Sequence, residues 1–267
     1  MAKIHPTAVI DPNAKIDDSA IIGPHCVVGP NVTIGPHCNL IALCYLDGYT
    51  TLGANNTVYP GASIGAPPQD MGFDPTKKSF VEIGDNNTFR ENISIHRGTK
   101  ENSITKIGNN CYIMANAHIA HNCQLGNNII MVNYAGVAGY VTLNDGCFLS
   151  GVAVIHQFCS VGRFAMLSAS SAISKDLPPF MIADGRNGAV RGVNVVAMRR
   201  NGFSNDAIRR IKDVYNIFYR SDLNVKNALD KIKNEVEQTE EVKEFINFVE
   251  NSERGVLTYG VAKGRRD

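Results

Sequence analysis

An apolar residue recurs at every sixth position through most of the first two thirds of the chain. A β-strand would alternate with a period of two, and an α-helix would space its apolar residues by three and four. A strict period of six is typical of a parallel β-helix, a coil that turns a corner every six residues and stacks on itself. The series has three uninterrupted runs: Ile4 to Ile64, Ile83 to Ile95 and Ile107 to Ile173.

This pattern predicts a mainly β fold, a left-handed parallel β-helix of hexapeptide repeats over residues 1–180, followed by a C-terminal α-helical domain over residues 181–267. We expect the coil to end at the segment 176–179, because its tandem prolines lack the N–H groups that a strand ladder needs. Two interruptions of the period predict loops at 66–80 and 98–106. Loops extruded from such a coil often carry its binding function.

The apolar spacing becomes helical from about residue 204 onward. The segment SNDAIRRIKDVYNIFYR predicts an amphipathic helix with Ser204 as its N-cap. Two further amphipathic helices are predicted over 223–236 and 240–249. These helices would cover the end of the coil, where an open strand edge invites aggregation. The last residues, GVAKGRRD, are predicted to form a polar, frayed tail.

Composition and charge narrow the class of protein. A formal net charge of +1 argues against a nucleic-acid-binding protein. The chain contains no apolar stretch of about 18 residues, so no transmembrane helix is expected. The N-terminus lacks the apolar segment of a signal peptide. The sequence therefore predicts a cytoplasmic protein. The flat faces of the coil can pack against copies of themselves with cyclic symmetry, which predicts a homotrimer with sites in the clefts between coils.

The seven cysteines share one register of the repeat, four residues after an apolar repeat position. At other turns this slot holds Ala8, Ala14, Ala20, Val32, Ala62 and Ala117, so the pattern predicts small buried side chains that fill tight corners. An odd count in a cytoplasmic chain agrees with free thiols rather than a disulfide framework. The residues are Cys26, Cys38, Cys44, Cys111, Cys123, Cys147 and Cys159.

The seven histidines fall into two groups. Those of the early coils are expected at exposed corners: His5, His25 and His37. Those of the second half lie in the phrases IHRGT, NAHIAHN and IHQF: His96, His118, His121 and His156. From the residues alone three readings of the second group stay open, namely a general base, a metal site and a polar stripe without chemistry.

Through these phrases the chain resembles the UDP-N-acetylglucosamine acyltransferases, which move a 3-hydroxyacyl chain from acyl carrier protein to the sugar 3-hydroxyl in the first step of lipid A synthesis. The resemblance covers nearly the whole chain, in IGAPPQD, VEIGDNN, IHRGT, NAHIAHN, IHQFCSVG, DLPPFMIADG and GVNVVAMRRNGFS. It implies acyl carrier protein and UDP-N-acetylglucosamine as partners and a homotrimer. It implies no cofactor, no metal and no covalent acyl-enzyme.

The resemblance also implies roles for individual residues. His121 would be the general base, Asn122 its partner, and the backbone N–H of Gly139 the donor to the oxyanion. Ala169 matches the position that sets the length of the acyl tunnel, and its small side chain predicts a fairly long acyl chain. The residues implied to bind substrate are Gln69, Asp70, His96, His118, His156, Gln157, Asn194, Arg199 and Arg200. Of these, Asp70 would bind the sugar, Asn194 and Arg200 would reach the uridine diphosphate, and the two arginines could also meet the acidic carrier protein.

The chain departs from the family pattern at three positions. Asn122 stands where the best-known members have aspartate; asparagine can fix the imidazole tautomer but cannot stabilise an imidazolium by charge. Gly72 replaces a lysine, for which Lys77 and Lys78 are candidate substitutes. Tyr140 replaces a histidine. An acceptor with an amine in place of the 3-hydroxyl therefore stays open.

Three alternatives remain at this point. The later N-acyltransferase of the same pathway carries an N-terminal uridine-binding domain, for which we expect no room before Ile4. A γ-type carbonic anhydrase would hold zinc with three histidines across a trimer interface. That group usually has a His-x4-His pair, whereas His118 and His121 form a His-x2-His pair. The third alternative is a structural coil without catalysis.

Overall fold

The computed structural model describes residues 2–186 and 188–258. The predicted polar tail, 260–267, lies outside the described residues. Among the helices within the described ranges, none has the length and apolar character needed to cross a bilayer.

The predicted mainly β fold is confirmed, as a left-handed parallel β-helix whose strands form three sheets. Strands are numbered in chain order. Sheet A contains β1 Lys3–Ile4, β4 Ile21–Ile22, β7 Asn39–Leu40, β10 Thr57–Val58, β13 Thr88–Phe89, β16 Tyr112–Ile113, β19 Ile130–Met131, β22 Phe148–Leu149, β25 Met166–Leu167, β27 Met181–Asp184 and β28 Ala189–Val193. Sheet B contains β2 Val9–Ile10, β5 Val27–Val28, β8 Tyr45–Leu46, β11 Ser63–Ala66, β14 Ser94–His96, β17 His118–Ile119, β20 Gly136–Val137, β23 Val154–Ile155 and β26 Ala172–Ile173. Sheet C contains β3 Lys15–Ile16, β6 Thr33–Ile34, β9 Tyr49–Leu52, β12 Phe80–Ile83, β15 Ile104–Ile107, β18 Gln124–Leu125, β21 Thr142–Leu143 and β24 Ser160–Val161.

Each hexapeptide supplies one short strand, and three hexapeptides complete one turn of the coil. Val27 therefore pairs with Tyr45, and Val28 with Leu46. The repeat residue of each strand points into the coil, where Leu46, Ile64 and Val137 are fully buried. The residue before it points outward, so successive turns stack their outward side chains into columns. On sheet B one such column brings Ser94, His118 and Gly136 next to each other.

Most corners of the coil have a left-handed backbone at the third residue after the repeat position. Asparagine adopts this conformation more readily than most residues. Two corners that join sheet B to sheet C hold Asn122 at φ 63° and Tyr140 at φ 61°. The turn geometry therefore places these two side chains one above the other at an edge of sheet B.

The seven cysteines are confirmed as buried, unpaired thiols. Burial raises the pKa of the Cys123 thiol to about 12 and that of Cys111 to about 11. These side chains fill corners, and none of the seven thiols is exposed.

The two loops differ in how well their bounds were predicted. The first runs between β11 and β12 over residues 67–79, close to the prediction. The second covers only residues 97–103, because Ile104–Ile107 pairs with β12 and β18 as a full strand. Both loops leave the coil after a strand of sheet B and return to it at sheet C.

The ladder also runs past the predicted exit at the two prolines. Leu177 donates its N–H to Ser160, and β27 pairs in parallel with β25 before β28 folds back on it. The expectation that the coil ends at Pro179 was wrong, because the proline segment bridges to one more strand. Neither β28 nor its antiparallel pairing was predicted.

Four helices follow within the described residues: α1 Val195–Arg200, α2 Asn205–Arg220, α3 Val225–Glu235 and α4 Glu240–Glu250. The N-cap prediction is confirmed, since Ser204 Oγ accepts from the N–H of Ala207 at 3.1 Å. Helix α1 was not predicted, and α3 begins two residues later than expected. Tyr215 of α2 donates its hydroxyl to the Arg191 carbonyl in β28, and Arg163 of the coil pairs with Glu244 of α4 at 2.6 Å. The helices are thereby fixed to the C-terminal end of the coil.

Candidate functional site

A cavity of about 350 Å³ opens on the outer face of sheet B. Five predicted site residues line it: Gln69, His96, His118, His121 and Gly139. Its apolar wall includes Val137, Val154 and Ile155. The outward columns of sheet B supply the histidines, the corners supply His121 and Gly139, and the loop 67–79 supplies Gln69. The cavity combines a few polar groups with an apolar wall, as small-molecule sites generally do.

His121 is held at the cavity by its neighbour in the chain. Its Nδ1 lies 2.9 Å from Oδ1 of the buried Asn122. An amide oxygen only accepts hydrogen bonds, so in the neutral ring Nδ1 carries the proton and Nε2 the lone pair. A neutral imidazole with a free Nε2 lone pair can accept a proton from a hydroxyl group.

Gly139 packs directly against the His121 ring. A Cβ atom at residue 139 would lie 2.4 Å from Cε1 and 2.7 Å from Nε2 of that ring. Within 2–186 and 188–258, no acceptor binds the backbone N–H of Gly139. The His121 ring and the Gly139 backbone, whose N–H has no acceptor among the described residues, therefore lie side by side at the same cavity wall.

His96 and His118 form a second imidazole pair in this cavity. Their ring centroids are 5.2 Å apart in an edge-to-face arrangement, and His118 Nδ1 lies 2.7 Å from Ser94 Oγ. Burial is the larger cause and the neighbouring His118 the smaller one that together lower the pKa of His96 to about 4. The pKa of His118 is also lowered, mainly by burial and to a lesser extent by His121. At neutral pH the pair is uncharged, so it can position polar substrate groups without adding charge.

The lowered pKa of His96 predicts an acid-dependent loss of stability. Unfolding returns the pKa of His96 to its usual value near 6.5. Below that pH the imidazole is protonated in the unfolded chain, whereas in the folded chain it stays neutral down to about pH 4. The free energy of unfolding should therefore fall as pH falls from about 6.5 to about 4. Urea unfolding at several pH values checks this, with His96→Gln expected to flatten part of the slope. The exposed His25→Gln variant is the control, and an equal slope in all three proteins would contradict the assignment.

Tyr140 and Thr99 complete the surroundings of His121. The Tyr140 ring contacts the imidazole edge-to-face at 5.4 Å and stacks on Phe158 at 4.9 Å. Thr99, from the loop 97–103, contacts Oδ1 of Asn122 with both its backbone N–H and its hydroxyl. The sequence indicated Tyr140 only as a departure from the family pattern and gave no sign of Thr99. The phrase IHRGT contained this threonine, but nothing in the spacing indicated its contact with residue 122.

Other predicted residues lie away from this cavity in the single chain. Arg200 and Asn194 line a second cavity of about 480 Å³ on sheet A, beside α1. Asn194 is buried and engaged at both ends of its amide: Oδ1 accepts from Ala197 N–H at 3.1 Å, and Nδ2 donates to the Phe164 carbonyl at 2.9 Å. Its side chain thus holds α1 in place, which a substrate contact alone would not require.

The remaining candidates are exposed. Asp70 lies on the loop 67–79, where Oδ1 accepts from Gly72 N–H at 2.8 Å. The other exposed positions are His156, Gln157, Ala169 and Arg199. Lys78, a candidate substitute for the missing lysine, lies over the Tyr49 ring at 4.7 Å, and Lys77 is exposed on the same loop.

The sequence matches two described families. Residues 176–257 match the family described as UDP N-acetylglucosamine O-acyltransferase, domain 2. Residues 1–36 and 104–139 match the bacterial transferase hexapeptide family.

Similar proteins cover nearly the whole chain. The acyl carrier protein–UDP-N-acetylglucosamine O-acyltransferase of Anaeromyxobacter sp. is 42% identical over 256 residues, which is 95% of this chain and 98% of that protein. The enzyme of the same name from Janthinobacterium sp. is 42% identical over 264 residues, 96% of this chain and 100% of that protein.

Solved structures agree with this assignment. The UDP-N-acetylglucosamine acyltransferase of Francisella novicida superposes with a TM-score of 0.93 at 38% identity, covering 96% of this chain and 94% of that one. The Bacteroides fragilis enzyme gives a TM-score of 0.91 at 40% identity, covering 95% and 99%. Likeness at this level over full length decides against the carbonic anhydrase and the structural coil. The chain belongs to the family of UDP-N-acetylglucosamine O-acyltransferases and is an O-acyltransferase.

Proposed function

We propose that this chain transfers a 3-hydroxyacyl group from acyl carrier protein to the 3-hydroxyl of UDP-N-acetylglucosamine, the first step of lipid A biosynthesis. His121 acts as the general base, and no covalent acyl-enzyme forms. The observation that carries this proposal is the free Nε2 lone pair of His121 beside the unbound N–H of Gly139 in one cavity. The names of the relatives supply the substrates.

Each proposed step uses a group placed at this cavity. Nε2 of His121 removes the proton of the sugar hydroxyl as its oxygen attacks the thioester carbonyl. The backbone N–H of Gly139 donates to the oxyanion of the tetrahedral intermediate. When the intermediate collapses, the carbon–sulfur bond breaks and the carrier thiol takes the proton from His121. Asn122 keeps Nδ1–H oriented throughout.

The neighbouring residues position the substrates. His96 and His118 are neutral at physiological pH and offer one donor and one acceptor each. Gln69 reaches the same cavity from the loop 67–79, and Asp70 follows it on that loop. We assign these polar groups to the sugar, and the apolar wall of the cavity to the acyl chain.

The homotrimer is part of this proposal. The outward side chains of sheets A and B include Phe148, Met166 and Val154, whereas those of sheet C are polar, such as Thr51 and Lys106. Apolar faces favour contact between copies, and a closed ring of three would cover sheets A and B of each. The cavity of one copy would then face sheet A of the next, with its Asn194, Arg199 and Arg200. We place uridine diphosphate and the acidic carrier protein there, together with His156 and Gln157, and keep the predicted cytoplasmic location.

Acyl transfer by the purified chain tests the proposed function. The chain is incubated with UDP-N-acetylglucosamine and 3-hydroxyacyl carrier proteins of several lengths, and the acylated nucleotide sugar is identified by mass spectrometry. We expect transfer of the longer chains, as the small side chain of Ala169 implies. A 3-amino analogue of the acceptor, run in parallel, decides the alternative raised by Asn122. Absence of acylated product with every donor and both acceptors would contradict the proposal.

A further inference from the structure

The side-chain amide of Asn122 has two chemically different ends, an oxygen that only accepts and an NH₂ group that only donates. The oxygen faces Nδ1 of His121. If the amide turned over, its NH₂ would face Nδ1, and the ring proton would have to sit on Nε2. His121 would then present an N–H to the cavity in place of a lone pair. An aspartate has no such wrong orientation, because both of its oxygens accept.

Thr99 makes the contacts that prevent this turnover. Its backbone N–H donates to Oδ1 of Asn122 at 3.1 Å, and its hydroxyl donates to the same oxygen at 3.0 Å. A backbone N–H can only donate, so it disfavours the NH₂ group at that position, and the hydroxyl bond to the same oxygen adds to this preference. Asn122 is only 8% exposed, which leaves little room for water to replace these contacts.

Tyr140 extends the same network. Its hydroxyl lies 3.1 Å from Thr99 Oγ1. Because the Thr99 hydroxyl proton is directed at Asn122, the Tyr140 hydroxyl is the donor in this contact. A chain of hydrogen bonds therefore runs from Tyr140 through Thr99 to the amide oxygen of Asn122. The Tyr140 ring also contacts the imidazole of His121.

We propose that Thr99 is a positioning residue for acyl transfer: it locks the Asn122 amide and thereby selects the His121 tautomer with an unprotonated Nε2. This inference rests on the proposed function, since it assigns His121 as the base. Thr99 does not touch the reacting atoms. The requirement for such a lock follows from asparagine at residue 122.

Two variants of Thr99 test the lock. Thr99→Val keeps the size and the backbone N–H but removes the hydroxyl, and it should lower kcat about 3- to 10-fold with little change in KM. Thr99→Ser restores the hydroxyl and should stay within about twofold of the native kcat. Equal losses in the two variants would indicate a role in folding only and overturn the proposal.

The tautomer gives an independent readout. Solid-state ¹⁵N NMR of histidine-labelled protein, with His121 assigned through a His121→Gln sample, should show Nδ1–H in the native chain and a fraction of Nε2–H in Thr99→Val. In an Asn122→Asp background, Thr99→Val should leave Nδ1–H in place and cost less in kcat. An unchanged tautomer in Thr99→Val, or equal losses in both backgrounds, would overturn the proposal.

The two readouts also separate this inference from the proposed function. A chain that transfers acyl groups but shows no tautomer shift overturns the role of Thr99 alone. A chain that shows the shift without any transfer overturns the proposed function and leaves only the effect of Thr99 on the Asn122 amide and the His121 tautomer.

Discussion

Replacement of His121 by glutamine should lower the rate of acyl transfer by about 10²- to 10⁴-fold, the usual contribution of a general base. Glutamine occupies a similar volume and can still donate and accept hydrogen bonds, but it cannot take a proton at neutral pH. Because the cavity wall and Gly139 remain, affinity for the nucleotide sugar should change little. The loss should therefore appear in kcat rather than in KM.

Two histidine variants serve as controls for this result. His25→Gln changes an exposed corner far from the cavity in the coil and should leave kcat unchanged. His118→Gln removes a positioning group from the same cavity and should raise KM more than it lowers kcat. The ranking of the three variants by kcat distinguishes a single base from a group of interchangeable histidines.

Replacement of Gly139 by alanine should lower transfer by about 100-fold or more. The added Cβ would lie 2.4 Å from Cε1 of His121, well inside van der Waals contact, so the imidazole must move. A displacement of about 1 Å in a catalytic group can cost about 10²-fold in rate. Steady-state kinetics measures the effect, and the melting temperature shows whether the coil is intact.

Gly136→Ala is the matched control for this substitution. It adds the same methyl group to the wall of the same cavity, but there the nearest atom is Val154 Cγ1 at 3.8 Å, an ordinary contact. Its loss of activity should stay below about tenfold. If the two alanine variants lost activity equally, the contact between residue 139 and His121 would not explain the effect.

The coil was predictable because its physical cause is periodic. One inward residue in six must be apolar, and this requirement is repeated in every strand from Ile4 to Ile173. The same register predicted the buried cysteines, since the slot four residues after a repeat position points into the coil and is buried throughout the second half. Nothing beyond the spacing was needed for either conclusion.

The elements at the end of the coil were not predictable in this way. Helix α1 has six residues, which is too short for a helical period to appear, and β27 and β28 pair through a register shift. The prolines suggested a stop, but a proline between strands does not prevent the next strand from joining the sheet.

The candidate site was predictable only in part. The histidine phrases indicated His96, His118 and His121, and these side chains do meet in one cavity. Thr99 reaches Asn122 from a loop that leaves the coil and returns, so no sequence spacing encodes that contact. The resemblance assigned Asn194 to the uridine diphosphate, and the structure adds a second role, since both ends of its amide bond to the backbone around α1.

A single-turnover experiment tests the central claim most directly. Native chain or His121→Gln, in excess over 3-hydroxyacyl carrier protein, is mixed with saturating UDP-N-acetylglucosamine, and the acylated sugar is quantified by mass spectrometry over time. Binding of the nucleotide sugar is measured separately by calorimetry. The account predicts intact binding and a rate of acyl transfer at least about 100-fold lower in the variant. A rate within about tenfold of the native chain, with binding intact, would contradict His121 as the general base.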